Sequence, residues 1–495
     1  MILTVAWIVP LMGAVALAAF PRWNEARARQ CAAGVAALSL LALVVAWVGF
    51  DPAGPLFQHV DEMRWVPSIG VAYRVGVDGI ALAVATMSAL LFVAAIVYPV
   101  DTLGQPRQYY AWLLFLQAVS LGVFLALDLL LFYVFFDLSL VGMFFLIGRW
   151  GHGTPQVSAL KFFLYTFAGS LLLLLAIIGL YLSLDPFTFD MRVLIEQQPL
   201  AGSGLYAGLV FLALMLGFAI KTPLVPLHTW LPQAHVDAPG PASAILAGVL
   251  LKMGTYGMIR LPFAMMQETF AEYSLVVGII ALVAILYGAL VALGQSNLKR
   301  RIAYTSINHM GYTVLGIAAA AALFADNQTA RQLALTGATV EMVAHGLITG
   351  ALFLICGSFW QRTSDYELDH YGGLAHQAPL LTGFTVLAAF ASLGMPGLAG
   401  FVAEFQVFAG TFAIYPWLTV LGVLGILITA ALFLDLLRRL FFGRLPAHLG
   451  GFRDLEPAEW GVLGVLSLGI LVIGVYPRIL LTLIEASSAI LVGVR

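Results

Sequence analysis

Long apolar runs alternate with short polar connections along the whole chain. Fourteen of these runs reach about 20 residues, the length of helix that crosses the hydrocarbon core of a membrane. They cover residues 1–20, 30–50, 78–99, 109–127, 129–148, 157–183, 204–229, 239–263, 273–294, 300–322, 338–359, 380–411, 417–442 and 458–485. The pattern predicts an all-α polytopic membrane protein with about 14 transmembrane helices, folded as a single integral membrane domain over 1–495.

Proline interrupts three of the runs. Pro223 and Pro226 break the seventh run, Pro239 and Pro241 mark the start of the eighth, and Pro396 breaks the twelfth. Because proline removes a backbone donor and lipid cannot satisfy the freed carbonyl, such breaks belong inside a bundle beside a polar path. The seventh and twelfth runs lie five helices apart, and an odd offset gives their units opposite topologies. We therefore expect two inverted five-helix repeats with discontinuous helices.

The repeats and the basic residues predict how the chain is organised in the membrane. N-terminal helices are expected over 1–99, the first inverted repeat over 109–263, the second over 273–442 and a C-terminal helix over 458–485. Connections from odd- to even-numbered helices carry fourteen basic residues, against five in the other connections. The fourteen are Arg22, Arg27, Arg29, Arg107, Arg149, Lys161, Lys299, Arg300, Arg301, Arg362, Arg438, Arg439, Arg444 and Arg453. The positive-inside rule places them in the cytoplasm and both termini on the outer side.

Composition supports the membrane interpretation and limits the chemistry. The chain is 62% hydrophobic and 10% charged, whereas soluble proteins carry about 25% charged residues. The net charge of −2 gives no sign of a nucleic-acid partner. We find no phosphate loop, no dinucleotide fingerprint and no cysteine set for an iron–sulfur cluster, so no cofactor is expected on this chain. Energy for moving ions must then come from a partner or from a second ion gradient.

Four ionisable residues fall at membrane depth within the apolar runs. They are Asp137, Lys221, Lys252 and Glu404. Each would cost roughly 2.5–3.5 kcal/mol in a bilayer, or on the order of 10 kcal/mol together, if left unpaired. Such a cost is tolerable only if the four groups face one another and hydrated space. An ion pair between Asp137 and Lys221 that forms and separates would hold and then release a proton.

Three histidines accompany these charges. His235, His309 and His345 lie in or at the ends of apolar runs, and an imidazole changes its charge near neutral pH. Together with the four charged residues they predict a buried proton relay. Simpler interpretations stay open, because the Asp–Lys pair can be a structural clasp and each histidine a satisfied core residue.

Several motifs resemble one known family along nearly the whole chain. The motifs are Gly76-Val77-Asp78-Gly79-Ile80, Phe218-Ala219-Ile220-Lys221-Thr222-Pro223, Leu250-Leu251-Lys252-Met253-Gly254-Thr255-Tyr256-Gly257, Ala303-Tyr304-Thr305-Ser306-Ile307-Asn308-His309-Met310-Gly311 and His345-Gly346-Leu347. They resemble the antiporter-like membrane subunits of respiratory complex I, the proton-translocating NADH:quinone oxidoreductase. Within that family, Glu404 in Gly400-Phe401-Val402-Ala403-Glu404-Phe405 is typical of M-type members, since their L-type and N-type sisters usually carry lysine there.

The resemblance implies a function and roles for single residues. Asp137 would pair with Lys221, Lys252 would be the central relay and Glu404 would end the path toward the next subunit. The three histidines match positions on the same polar axis. The implied partners are L-type and N-type chains, the lipid bilayer and a redox arm that holds flavin, iron–sulfur clusters and quinone. The implied location is the bacterial inner membrane, with both termini on the periplasmic side.

Three positions depart from the family pattern. Asp137 replaces the usual glutamate, Gly142 a frequent proline, and Asn297 the usual aspartate before the basic pair. The shorter Asp137 has less reach toward Lys221. Alternative functions are therefore kept: a multisubunit cation/proton antiporter, the membrane partner of an inorganic-carbon uptake system, a membrane hydrogenase, or an inert structural spacer.

Overall fold

The structure, a computed structural model, describes residues 1–19, 24–202, 204–323 and 327–493. Arg22, one of the basic residues used to predict the orientation, lies outside the described residues. Helices make up most of the rest, which confirms the all-α polytopic class. The first elements are α1 (Ile2–Ala19), α2 (Glu25–Val48), β1 (Gln58–Val66), β2 (Val71–Val77) and α3 (Gly79–Val97).

The two strands form an antiparallel hairpin that the helical prediction did not contain. Ion pairs hold the hairpin to the helices. Arg74 on β2 lies 2.8 Å from Asp128 and 2.9 Å from Glu62, and Asp128 in turn caps the start of the fifth helix. We call the end of the molecule that carries β1 and β2 the hairpin end, and the opposite end the far end.

The middle of the chain contains the first predicted repeat. Its elements are α4 (Pro106–Leu125), α5 (Leu129–Trp150), α6 (Pro155–Tyr181), α7 (Met191–Gln197), α8 (Leu205–Lys221), α9 (Leu231–Asp237), α10 (Gly240–Ile245) and α11 (Leu251–Met258). A π-helical turn at Leu246–Leu250 joins α10 to α11, and a second at Ile259–Phe263 extends α11. Together they form one membrane-length helix, Gly240–Phe263, that is buried throughout. A bundle centre therefore surrounds the helix that carries Lys252.

The second half of the chain contains the second predicted repeat and the C-terminal elements. They are α12 (Gln267–Leu293), α13 (Leu298–Ala320), α14 (Gln328–Thr363), α15 (Leu374–Gln377), α16 (Pro379–Ser392), α17 (Ala399–Phe412), α18 (Pro416–Phe441), α19 (Pro457–Val475) and α20 (Arg478–Val492). The window of α14 that is apolar enough to cross a membrane is fully buried, as in Gly240–Phe263. These two helices form the core around which the others pack.

The predicted single C-terminal helix 458–485 is wrong. The structure has two helices there, α19 and α20, because Pro477 cannot continue the backbone pattern of α19. Helix α20 lies across the starts of three others: Ser487 accepts from the backbone amide of Gly79, Gln332 donates to the Glu485 carbonyl, and Gln267 donates to the Leu491 carbonyl. The C-terminal helix therefore closes the hairpin end and does not cross the bundle.

Contacts between residues far apart in the sequence place the connections between helices in two sets, one at each end of the molecule. The orientation argument predicts such a division. At the hairpin end the amino group of Met1 pairs with Asp61, and Arg260 pairs with Asp78. At the far end Gln361 donates to the carbonyl of Pro99. The N-terminus and α20 consequently share one end of the molecule.

Length and composition identify eleven helices that can cross a membrane among the described residues. The three predicted runs outside this set correspond to α8, to α13 and to the pair α16 and α17. Helices α8 and α16 are apolar but shorter, and α13 begins with the charged residues Lys299, Arg300 and Arg301. The number of fourteen crossings remains a prediction.

Candidate functional site

The first helix break lies at the end of α8. The backbone turns after Lys221 and becomes helical again at Leu231, with Pro223 and Pro226 inside the turn. Two donors satisfy carbonyls that the amides of a continuing helix would have satisfied. The Leu224 amide donates a hydrogen bond to the Ala219 carbonyl, and the Trp230 indole donates one to the Ile220 carbonyl. The break is thus stabilised by protein groups, as a break inside a membrane must be.

Lys221 is 2% exposed and lies among α5 side chains. Its ammonium donates to Ser139 at 3.0 Å and lies 4.8 Å from the centre of the Phe136 ring. The expected direct pair with Asp137 does not form, because Asp137 accepts instead from Ser170 at 2.7 Å. Asp137 on α5 and Lys221 on α8 therefore have separate hydroxyl partners.

The helix of Lys252 packs directly on this break. A Cβ atom at Gly254 would lie 2.2 Å from the Thr222 hydroxyl and 2.9 Å from its amide, so only glycine permits the contact. The π-helical turn Leu246–Leu250 comes just before Lys252, and the Ala247 carbonyl accepts from its ammonium at 2.6 Å. π-Turns often mark functional positions, and this one aims Lys252 into the bundle centre.

A contiguous polar chain starts at Lys252, which is fully buried. Its Nζ lies 2.5 Å from Nδ1 of His345, and the His345 and His309 ring centroids are 5.2 Å apart. His309 then contacts Glu341 at 2.9 Å through Nδ1 and Ser392 at 3.1 Å through Nε2. The chain therefore links a base, two imidazoles and a carboxylate across three helices.

His235 lies on α9, and it forms no hydrogen bond with this polar chain in the part of the protein that the structure describes. It is fully buried, its ring stacks on Phe353 at 4.3 Å, and neither ring nitrogen has a hydrogen-bond partner among the described residues. The charges of Lys252 and Lys299 both act on it. His235 is thus a buried imidazole on which two buried lysines act through their charges.

The second break lies between α16 and α17. Helix α16 ends at Ser392 and α17 begins at Ala399, with Pro396 in the turn. Glu404 on α17 is 3% exposed, and its carboxylate sits against Gly394 of the turn, where a Cβ atom would lie only 2.1 Å from Oε2. Among the described residues, the charge of Glu341 acts on Glu404. The break thus brings Glu404 to the end of the Lys252 chain.

The prolines of the eighth run take a different role from the other breaks. Helix α9 ends at Asp237 and α10 begins at Gly240, so Pro239 and Pro241 start the helix of Lys252. Proline fits there, since the first turn of a helix needs no amide donor.

The structure adds residues that the sequence interpretation left out of the site. Glu341 contacts His309 and lies four residues before His345 on α14. Residues four apart share a helix face, and that spacing could have identified it. Ser139, Ser170 and Ser392 gave no signal, because serine is common in membrane helices.

The site is arranged for proton transfer through side chains. Neighbouring groups of the Lys252 chain are joined by hydrogen bonds or by closely packed rings, and each can gain and lose a proton. Among the described residues, no group of three or more histidine, cysteine or carboxylate side chains is placed to hold a metal ion.

Comparisons with known proteins agree with this geometry. A profile of the family described as NADH:quinone oxidoreductase/Mrp antiporter, TM, matches residues 126–429. The chain is 37% identical over 506 residues to NADH-quinone oxidoreductase subunit M of Rhodobacter capsulatus, covering 99% of this chain and 96% of that protein.

Solved structures give the same result. A chain of respiratory complex I from Thermus thermophilus with bound NADH is 30% identical with a TM-score of 0.87, covering 99% of this chain and all of that one. A chain of the Mrp complex from Dietzia sp. DQ12-45-1b has a TM-score of 0.85 at 20% identity, covering 99% and 97%. At that identity the second likeness shows the fold alone.

Proposed function

Because the chain belongs to the NADH:quinone oxidoreductase/Mrp antiporter membrane family, we propose that it is a proton-translocating membrane subunit of an NADH:quinone oxidoreductase. Its Rhodobacter capsulatus relative carries the name of subunit M of that enzyme, and the similarity extends over nearly both chains. The chain is thus part of an oxidoreductase, and its own task is to move protons.

The observation that carries this proposal is the buried chain Lys252–His345–His309–Glu341. In a purely structural role, each charged group would pair with a group of opposite charge, and no proton would pass between them. Here a lysine contacts an imidazole and a second imidazole contacts a carboxylate. Each contact allows a proton to pass, so the arrangement suits a relay better than a clasp.

The proposed path has a start and an end within this chain. Lys221 and Asp137 form the first unit beside α5, Lys252 and His345 the centre, and Glu404 the last group. His235 and His309 extend the centre on either side. Asp137 acts on Lys221 through its charge and without a direct contact. Electron transfer elsewhere in the complex moves the two groups further apart, and the loss of that stabilising charge then drives the proton onward.

The cofactors of the reaction belong to partner subunits in this proposal. NADH oxidation needs flavin and iron–sulfur clusters, and the electrons end on quinone. The sequence has no motif for any of these groups, and we assign them to the partner subunits. Its partners are the L-type and N-type membrane chains, the redox arm and the lipid bilayer.

Two matching backbone bridges support the inverted repeats, 109–263 and 273–442. Asp128 caps α5 and bridges to Asp190, while Asn297 caps α13 and bridges to Glu367. The first bridge lies at the hairpin end and the second at the far end. Equivalent joints at opposite ends are what an inverted repeat requires.

The proposed location is the bacterial inner membrane, with the far end in the cytoplasm. The positive-inside rule favours this orientation, because most basic residues lie in the far-end connections. Both termini then lie on the periplasmic side, with the N-terminus beside the hairpin and α20 across it.

Purification of the chain with its partners tests the proposal. We expect flavin and iron–sulfur subunits to copurify, and the complex to reduce quinone with NADH. Recovery of cation/proton antiporter subunits without any redox subunit would reject the proposal and favour the antiporter alternative. Recovery of a hydrogenase or carbon-uptake enzyme would favour those alternatives instead.

A further inference from the structure

Lys221 is held by an uncharged side chain. Its ammonium donates to the Ser139 hydroxyl at 3.0 Å, and Ser139 is its one hydrogen-bond acceptor within the described residues. The Asp137 carboxylate accepts from Ser170 at 2.7 Å instead, and it forms no ion pair with Lys221 in the part of the chain that the structure describes. The position of Lys221 therefore depends on a serine and not on an opposite charge.

The Ser139 hydroxyl is oriented to accept from Lys221. Ser139 is fully buried on α5, and its own O–H donates to the Phe136 carbonyl at 2.6 Å. A hydroxyl has one proton to donate and two lone pairs that accept, so the lone pairs are left for Lys221. The oxygen accepts an N–H from the ammonium and also from the neutral amine. The contact therefore survives when the lysine releases its proton.

Aromatic packing holds α5 and α8 at the separation that this contact needs. Phe136, three residues before Ser139, contacts Phe218, three residues before Lys221, with 6.0 Å between the ring centroids. The Lys221 Nζ lies 4.8 Å from the centre of the Phe136 ring, within the range of a cation–π contact. Each helix thus contributes one ring and one polar group to the same joint.

Asp137 brings a charge to this joint without touching Lys221. It is only half-buried on α5, and the hydroxyl that it bonds belongs to Ser170 on α6. A side chain one methylene longer at position 137 would bring the carboxylate closer to Lys221 and hold the ammonium directly. With aspartate at this position, another group has to do so.

We propose that Ser139 is the positioning residue of Lys221 and takes over the hold that a longer carboxylate at position 137 would provide. The inference rests on the proposed function and deepens its first unit, in which Asp137 supplies charge and Ser139 supplies position. When the ammonium gives its proton to the path, the neutral amine keeps an N–H on Ser139. The amine becomes an ammonium again when it takes the next proton, so no other reactant is needed.

Everted membrane vesicles that contain the whole complex provide the test, and NADH-driven proton uptake is the quantity measured. We expect Ser139→Ala to pump at least about tenfold more slowly, because a hydrogen bond to a charged group in a dry site is lost. Ser139→Thr keeps the hydroxyl and should restore most of the wild-type rate.

A longer carboxylate distinguishes positioning from a structural role. Ser139→Ala is repeated in the Asp137→Glu background, where the glutamate reaches Lys221 and replaces the missing contact. We expect Ser139→Ala to reduce pumping there by no more than about twofold relative to Asp137→Glu alone. A serine that only supported the packing of α5 would cause the same fall in both backgrounds.

Ser88→Ala is the matched control. Ser88 is also a fully buried helical serine, and among the described residues its hydroxyl bonds only the Val84 carbonyl of its own helix, α3. It lacks the contact with a charged group, so we expect Ser88→Ala to pump at the wild-type rate. Native gels establish that each complex assembles, and if Ser139→Thr does not assemble, the Asp137→Glu background decides the question.

The outcomes separate this inference from the proposed function. Normal pumping by Ser139→Ala, or an equal loss with aspartate and with glutamate at position 137, would overturn the positioning role. Loss of pumping by Asp137→Glu alone would overturn it as well, since a direct hold on Lys221 would then not support transfer. In each case a Lys252→Ala defect keeps the proposed function, whereas normal pumping by Lys252→Ala would reject the proposed function itself.

Discussion

At the scale of single residues, the relay depends on which groups touch. The sequence predicted seven members, and six of them share one buried region around the two breaks. Asp137 is the exception, because it is only half-buried and bonds Ser170 and not Lys221. Hydropathy could find these residues, since a charge in an apolar run is visible in any sequence. It could not reveal their partners, because contacts between distant helices leave no local pattern.

Glu341 gives the first prediction at this scale. Glu341→Gln keeps the size and one hydrogen bond to His309 but cannot take a proton. We expect NADH-driven pumping to fall at least about tenfold with normal assembly, since an essential proton carrier is lost. Pumping is measured in vesicles, and Gln328→Glu serves as an exposed control at the start of the same helix. An unchanged rate for Glu341→Gln would remove Glu341 from the path.

Asp137 gives the second prediction. Asp137→Asn removes the charge that acts on Lys221 and keeps the Ser170 contact, so we expect loss of pumping. Asp137→Glu restores the usual family residue with one methylene more and should pump at about the wild-type rate. Equal pumping rates with aspartate, asparagine and glutamate at position 137 would show that this residue takes no part in proton transfer.

At the scale of elements, the two helix breaks decide where the charges lie. Both breaks were predicted from proline and glycine, because these residues act locally on the backbone. Their tertiary support could not be predicted: Trp230 satisfies a carbonyl of the first break, and Gly254 lets the next helix approach it. The π-helical turns were also missed, since Leu246–Leu250 reads as an ordinary apolar helix.

The second break gives a prediction with a matched control. Gly394 and Gly397 both adopt left-handed backbone, with φ of 75° and 90°. Alanine at either position costs about 1–2 kcal/mol of backbone strain. Only Gly394→Ala also drives a methyl group into the Glu404 carboxylate, whereas nothing lies near a Cβ at Gly397.

We therefore expect Gly394→Ala to reduce pumping much more than Gly397→Ala. Coupled proton uptake and assembly are measured side by side for the two variants. Equal defects would show that backbone strain, and not the position of Glu404, explains the loss.

At the scale of the whole molecule, ion pairs fasten the hairpin end. Arg260 lies 2.8 Å from Asp78 in a pair that is almost wholly buried, and Arg74 holds Asp128 in the same way. The sequence predicted which connections between helices share an end of the molecule, because basic residues are concentrated in one of the two sets. It missed the hairpin, because strands of mixed polar residues become stable only through these distant ion pairs. It also merged α19 with α20, since both are apolar.

The buried pair gives a stability prediction. Arg260→Met leaves Asp78 buried without its partner, which costs about 3–5 kcal/mol. Arg438→Met breaks a pair with Asp435 that is open to solvent on the arginine side and should cost at most about 1 kcal/mol. Thermal unfolding of the detergent-solubilised complex compares the two. Equal stability of both variants would show that the Asp78 pair does not hold the hairpin end together.

The central claim is that protons coupled to NADH oxidation pass through Lys252. The most direct test reconstitutes the purified complex in liposomes and measures protons moved per NADH oxidised, for wild type and Lys252→Ala. We predict that the assembled variant loses most of its proton movement and that its coupled quinone reduction falls with it. An assembled Lys252→Ala complex that moves as many protons per NADH as wild type would contradict the account.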